Sequence, residues 1–345
     1  MKWKLAIIGF GNVSQGLVKI LNRKKEILKE KYGFDFQLMA ISDPVKGSAY
    51  NENGLDLIKI IELLDKTGDI KGYPTGIKDL DSIRTIKETD TNLIIETTPT
   101  NVKTGEPGLT HIRTALQSKK SAVTTNKGPI ALAYPELKRL AEENGVFIRF
   151  EGTVLSGTPS LNLATEALAG CGISRIQGIV NGTTNFILTK MENGKSYEDA
   201  LKEAQELGYA EADPTADVEG RDAAVKTVIM ANVIMGGNVK IEDVQRKGIT
   251  EITVDDVKKA KENNNRIKLI AEVAKENNMI KVSVSPRELP ITHPLANVMG
   301  AINALTFTTD HLGDITIIGP GAGRVETGQA LLTDILAINR LVDSL

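Results

Sequence analysis

The sequence contains one cysteine, Cys171, and three histidines, and no stretch of it approaches the roughly 20 consecutive apolar residues that span a bilayer. A lone cysteine excludes an internal disulfide and any cysteine-rich zinc site, and it suits a reducing compartment, so a cytoplasmic location is expected. The N-terminus lacks the apolar core and small-residue cleavage site of a signal peptide, so no membrane partner is expected. Excess charge of either sign is missing too. The chain has 42 Lys and Arg against 44 Asp and Glu, spread without a basic stripe, which leaves no electrostatic footprint for nucleic acid. Long repeats and low-complexity tracts are absent. What is present is ordinary soluble composition, 41% hydrophobic and 25% charged over 345 residues, enough for two domains and pointing to small-molecule chemistry.

The first half alternates short apolar runs with helical spacing. Leu5 to Ile8 ends at Gly9, and the run from Val13 to Leu21 has helical periodicity, so the segment reads as strand, tight turn and helix. Further strands are expected at residues 37–42, 92–96, 121–125 and 146–150, and this alternation predicts a right-handed, mostly parallel, doubly wound sheet of the Rossmann type. The turn residues Gly9, Gly11, Asn12 and Val13 suit a dinucleotide: the first glycine makes the turn, and the second lets a pyrophosphate approach the backbone. Ser14 stands where a third glycine is usual, with Gly16 close behind. A glycine turn that only joins a strand to a helix is the alternative. Asp43, Thr97, Thr98, Asn126 and Lys127 fall at strand ends, where such sheets bind ligands. The Asp43 carboxylate would accept ribose hydroxyls and repel a 2′-phosphate, leaning towards NAD over NADP. Against that, Lys46 lies close enough to attract a phosphate, and Asp43-Pro44 also reads as a plain turn opener.

The densest chemistry in the second half lies between Leu207 and Lys226. Pro214 and Gly220 mark a loop, and residues 221–235 are apolar enough for a buried helix that places Asp222 and Lys226, four apart, on one face. An exposed ion pair worth under about 1 kcal/mol is the bland reading. A calcium loop fails on spacing, because Gly220 stands eighth from Asp213 and Ala224 occupies the twelfth position. The carboxylates of Glu211, Asp217 and Asp222 suit a cationic ammonium group. A hydride enzyme acting on an alcohol needs a proton acceptor, and none of His111, His293 and His311 sits in a matching motif. A lysine can serve if burial or a second cation such as Lys127 weakens its hold on the proton.

These residues resemble the homoserine dehydrogenases over nearly the whole chain. The stretch Ala204 to Lys226 is similar to that family's signature of glycine-aromatic, Asp-Pro and Asp-Val followed by Gly220, Asp222 and Lys226. Gly9 to Ser14, Thr125 to Pro129, Asn181 to Asn185, and His293 to Ala296 with Gly300 to Ala304 resemble its other blocks, in order. The resemblance implies NAD(P)-dependent interconversion of L-homoserine and L-aspartate 4-semialdehyde in threonine, methionine and isoleucine biosynthesis. It implies Lys226 as acid and base, Lys127 contacting substrate and cofactor, and Glu211, Asp222 and Asp217 holding the substrate. It further implies a sodium ion near Glu151, Val154, Ser156 and Thr158, and a late glycine block in which Gly323 returns to the nicotinamide. The terminal helix, residues 327–341, should then pack on the first domain. The expected domains are residues 1–148 with 316–345 for the dinucleotide, and an α+β domain, 149–315, for substrate, catalysis and a homodimer contact. Strands are expected there at 266–273, 280–285 and 304–308. Ending at Leu345, the chain matches the family's catalytic core without an ACT domain, so threonine inhibition through such a domain is not expected.

Two rivals bear on this reading. A phosphorylating semialdehyde dehydrogenase needs a nucleophilic cysteine, and Cys171 has no basic partner nearby in sequence. A nucleotide-sensing binding protein without catalysis would not need Glu211, Asp222 and Lys226 together.

Overall fold

Apolar runs bounded by glycine and capping residues become the strands and helices of two separate units in the computed structural model, which describes residues 2–277 and 279–344. In chain order the first elements are β1 (Lys2–Ile8), α1 (Asn12–Tyr32), β2 (Asp35–Ser42), β3 (Ala49–Tyr50), α2 (Leu57–Thr67), α3 (Ser82–Glu88), β4 (Leu93–Glu96), α4 (Gly108–Gln117), β5 (Ser121–Thr124), α5 (Lys127–Asn144) and β6 (Ile148–Arg149). There follow α6 (Ser160–Asn162), β7 (Ile173–Ile179), α7 (Gly182–Glu192), α8 (Tyr197–Glu206), α9 (Thr215–Val218), α10 (Arg221–Ile234), β8 (Gln245–Arg246), α11 (Val254–Glu262), β9 (Asn265–Glu276), β10 (Met279–Pro290), β11 (Ile302–Thr309), β12 (Gly313–Pro320) and α12 (Arg324–Asp343).

The first unit runs to Gly157 and resumes at Gly323. Its sheet has the order β3-β2-β1-β4-β5-β6, parallel except for β3, which runs antiparallel to β2. Leu5 to Ile8 and Leu93 to Ile95 are fully buried, as expected of parallel strands covered on both faces. The strand order reverses between β1 and β4, the position at which such sheets open a ligand crevice beyond their carboxyl ends. The final helix belongs here: Leu331, Leu332, Ile335 and Ile338 of α12 share a core with Leu5, Ile7, Leu17 and Leu21.

The second unit, residues 158–322, has a mixed sheet of order β12-β11-β7-β9-β10-β8, antiparallel except where β8 joins β10. Helices α7 and α10 pack against its strands. The three expected strands are present and longer, while β7 and β12 form without having been anticipated. The expected domain limits shift accordingly. Along its length β12 pairs with β11, so residues 316–322 stay with the second unit. Residues 149–157 stay with the first, where the Glu151 N–H donates to Asp334 Oδ2 on α12 at 2.8 Å.

Candidate active site

The turn between β1 and α1 is built around Gly9, whose φ of +85° favours glycine and whose Cβ, if present, would lie 2.8 Å from the backbone of Thr97 and Thr98. Gly11 has the opposite surroundings, with no atom within 4 Å of where a Cβ would sit. Backbone therefore lies open to a ligand at that position. Gly11 is the N-cap of α1, whose first turn carries no acidic side chain, so its N–H groups suit a phosphate. Ser14 is fully buried, and its hydroxyl donates to the Gly9 carbonyl at 2.9 Å, bracing the turn from inside. The close helix packing for which the third fingerprint glycine is usual falls to Gly16, which faces the Arg324 backbone of α12.

Asp43 follows β2 and is shared between two turns. Its Oδ2 accepts the Phe10 N–H at 2.6 Å, and its Oδ1 accepts Val45 N–H and Lys46 N–H at 2.8 and 2.7 Å. The turn-opening role thus exists, with a tie to the glycine turn added. Lys46 donates its ammonium to the Gly68 carbonyl at 2.6 Å, at the C-cap of α2. Thr97 donates its hydroxyl to Gly9 O at 2.7 Å, and Thr98 is held by the Glu96 carboxylate. Asn126 caps α5, which opens at the half-buried Lys127.

In the second unit the end of β7 and the heads of α7 and α10 converge. Lys226 is 7% exposed; its Nζ donates to the Val180 carbonyl at 2.6 Å and lies 2.8 Å from Asp222 Oδ2. Asn181, the N-cap of α7, accepts the Thr184 N–H and donates through Nδ2 to Asp217 Oδ1 at 2.7 Å and to Asp222 Oδ2 at 3.1 Å. One amide therefore gathers the two carboxylates expected to serve the site and sets them beside the lysine. Taking one partner from a buried pair of this kind costs about 3–5 kcal/mol, far above the worth of an exposed pair. Asn181 and the Val180 carbonyl were not singled out in the sequence; the available signal was an Asn-Gly step placed where a strand passes into a helix.

Glu211 is exposed, and its side chain makes no hydrogen bond or ion pair among the described residues. Glu151, Val154 and Ser156 are buried in the first unit, and Thr158 opens the second, donating its hydroxyl to Pro320 O at 3.0 Å. Gly323 is the N-cap of α12. His293 has a structural place: its Nδ1 accepts the Leu295 N–H, and burial pushes its pKa down from the ordinary value. Cys171 is a free thiol. No helix among the described residues is long and apolar enough to cross a membrane.

The family model for homoserine dehydrogenase matches residues 159–336. A homoserine dehydrogenase of Methanocaldococcus jannaschii is 47% identical over 97% of this chain and 98% of its own length. The chain belongs to the homoserine dehydrogenase family. An NAD(+)-dependent homoserine dehydrogenase of Pseudomonas canavaninivorans is 44% identical over 98% of this chain and 97% of its own. Among solved structures, a hyperthermophilic archaeal homoserine dehydrogenase in complex with NADPH superposes with a TM-score of 0.85 at 33% identity, covering 99% of this chain and 98% of that one. The relatives thus include one described as NAD(+)-dependent and one holding NADPH, so membership implies a nicotinamide dinucleotide without choosing between the two.

Proposed function

We propose that this chain interconverts L-homoserine and L-aspartate 4-semialdehyde with NAD as the preferred cofactor and Lys226 as the group that takes and returns the proton. The observation that carries the reading is the buried Lys226 amine, held between the Val180 carbonyl and Asp222 in a member of this family. Open backbone at Gly11 and the acid-free first turn of α1 fit a pyrophosphate. A bound nicotinamide supplies the hydride acceptor. In oxidation the neutral Lys226 amine takes the homoserine hydroxyl proton as hydride leaves the carbon that bears that hydroxyl; in reduction the resulting ammonium returns the proton to the aldehyde oxygen. Asp222 and Asp217, oriented by Asn181, together with the exposed Glu211, supply negative charge for the substrate ammonium. Lys127 contacts substrate and cofactor.

Replacing Lys226 by alanine is expected to lower kcat by on the order of 10² to 10⁴ while NADH affinity, read by fluorescence titration, changes less than about threefold. Near-normal turnover would remove the lysine from this role. NAD preference rests on the Asp43 carboxylate just after β2, which is tied to the glycine turn through the Phe10 N–H. A kcat/KM at least about tenfold higher with NAD than with NADP is expected from one 2′-phosphate facing one carboxylate, and an inverted ratio would refute the preference.

A sodium ion near Glu151, Val154, Ser156 and Thr158 is part of the proposal. It is supported by the burial of all four residues, Glu151 among them, and exchanging sodium for a bulky organic cation is expected to lower the melting temperature; an unchanged value would remove the ion. A homodimer through the second unit's sheet and a cytoplasmic location complete it.

A further inference from the structure

Glu96 ends β4, level with Ile8 of β1 and Thr124 of β5, and is fully buried. A carboxylate buried at the end of a central strand is costly unless donors surround it, and a leucine would fill the position without that cost. Here the donors come from the turn that follows β4 and from the last residue of β5. Oε1 accepts the Thr98 N–H at 2.9 Å and the Thr98 hydroxyl, and Oε2 accepts the Thr124 hydroxyl at 2.9 Å. The Thr124 oxygen in turn accepts the Asn126 N–H at 2.9 Å, Asn126 Nδ2 donates to the Thr98 carbonyl at 3.3 Å, and Asn126 Oδ1 accepts the Gly128 N–H at 3.2 Å. A closed ring of bonds thus runs from Glu96 through the turns after β4 and β5 to the first residues of α5. From α4, His111 Nδ1 lies 3.7 Å from Oε1, buried and without a hydrogen-bond partner among the described residues. Gly108 seals the remaining side: a Cβ there would lie 2.6 Å from Asn126 Nδ2 and 3.1 Å from Glu96 Oε2.

We infer that Glu96 is a positioning residue, whose carboxylate fixes the start of α5, and with it the Lys127 amine, relative to the Thr98 turn. The inference rests on the reading of Lys127 as a substrate and cofactor contact. Nothing about β4 pairing requires the carboxylate; what it supplies is two oxygens that accept, one from the turn after β4 and the other from the end of β5. Glu96→Gln keeps the shape and can keep its oxygen on the Thr98 donors, but its NH2 group then faces the Thr124 hydroxyl, which must accept instead of donate, so the ring loses both the carboxylate charge and the Thr124 bond to it.

The test is a double-mutant cycle on the full chain, using Glu96→Gln, Lys127→Ala and the double variant, with kcat and KM for homoserine and the NADH dissociation constant measured for each. Glu96→Gln is expected to lower kcat/KM 10- to 100-fold on its own, and less than about threefold further once Lys127 is gone. Losses that multiply independently would overturn the inference, as would a Glu96→Gln variant with unchanged kinetics. A silent Lys127→Ala variant would instead strike the reading of Lys127; a Glu96→Gln loss that persisted beside it would show the carboxylate acting by another route and would overturn the inference too. Should Glu96→Gln not fold, Thr124→Val removes two bonds of the same ring, the one to Glu96 Oε2 and the one from the Asn126 N–H, and replaces it in the cycle, with the same outcomes deciding.

Discussion

Two lysines in the second unit differ in what their burial does. Lys226 faces a carboxylate and a carbonyl at the heads of two helices, where it serves the chemistry proposed above. Lys268, on β9, is 1% exposed and donates to the Asn185 side-chain oxygen at 2.9 Å and the Val298 carbonyl at 2.6 Å, tying α7 and β9 to the segment before β11. Burial lowers its pKa from 10.5 to about 8, opposed by Glu192 and assisted by Arg266. The sign of the linkage follows. Between about 8 and 10.5 the unfolded chain holds the proton that the folded chain has released, so stability rises with pH in that window; below it both states are protonated and the contribution is flat. The stability of the wild type relative to Lys268→Met should therefore grow by up to about 3 kcal/mol across the window, read by urea unfolding. A difference that does not change with pH would show that Lys268 titrates normally. At this scale the Asp222–Lys226 pair was legible, because four-residue spacing on a helix places two side chains on one face. The Asn181 amide and the Lys46–Gly68 bond were not, since each partner lies many residues away.

At the scale of elements, two glycines of the first unit have opposite surroundings. Gly11 faces open space, and Gly16 faces the Arg324 carbonyl of α12. Gly11→Val should weaken NADH binding tenfold or more with little change in melting temperature, because its side chain would enter the space a pyrophosphate needs. Gly16→Val should do the reverse first, lowering stability by about 1–3 kcal/mol as α1 and α12 are forced apart. Equal thermal shifts in both variants would show that the contrast is wrong. Parallel strands β1, β2, β4 and β5 were legible as apolar runs because both faces of each are buried. β7 and β12 were not: β7 alternates imperfectly around Arg175 and Gly178, and β12 has little buried surface and ends in Gly319-Pro320. Their pairing with β11 makes them strands.

For the molecule as a whole, two units with different sheet chemistry share one chain, and the first is completed only when α12 returns to it. In the second unit Ile302 of β11 and Ile318 of β12 are exposed, apolar side chains that the proposed homodimer would cover. Light scattering should give twice the 37.3 kDa chain mass, and Ile318→Glu should shift that value towards one chain; a wild-type chain that is monomeric at micromolar concentration would exclude the dimer. The sequence by itself determined the parallel alternation of the first half, the glycine turn, and the acid-lysine face of α10, because each is set by spacing within a few residues. Only the tertiary structure decided that Asp43 ties two turns together, that Asn181 gathers Asp217 and Asp222, and that Glu96 lies under the start of α5. Buried polar groups must be satisfied by whatever donor or acceptor packing brings within reach, and distance along the chain does not foretell which one that is.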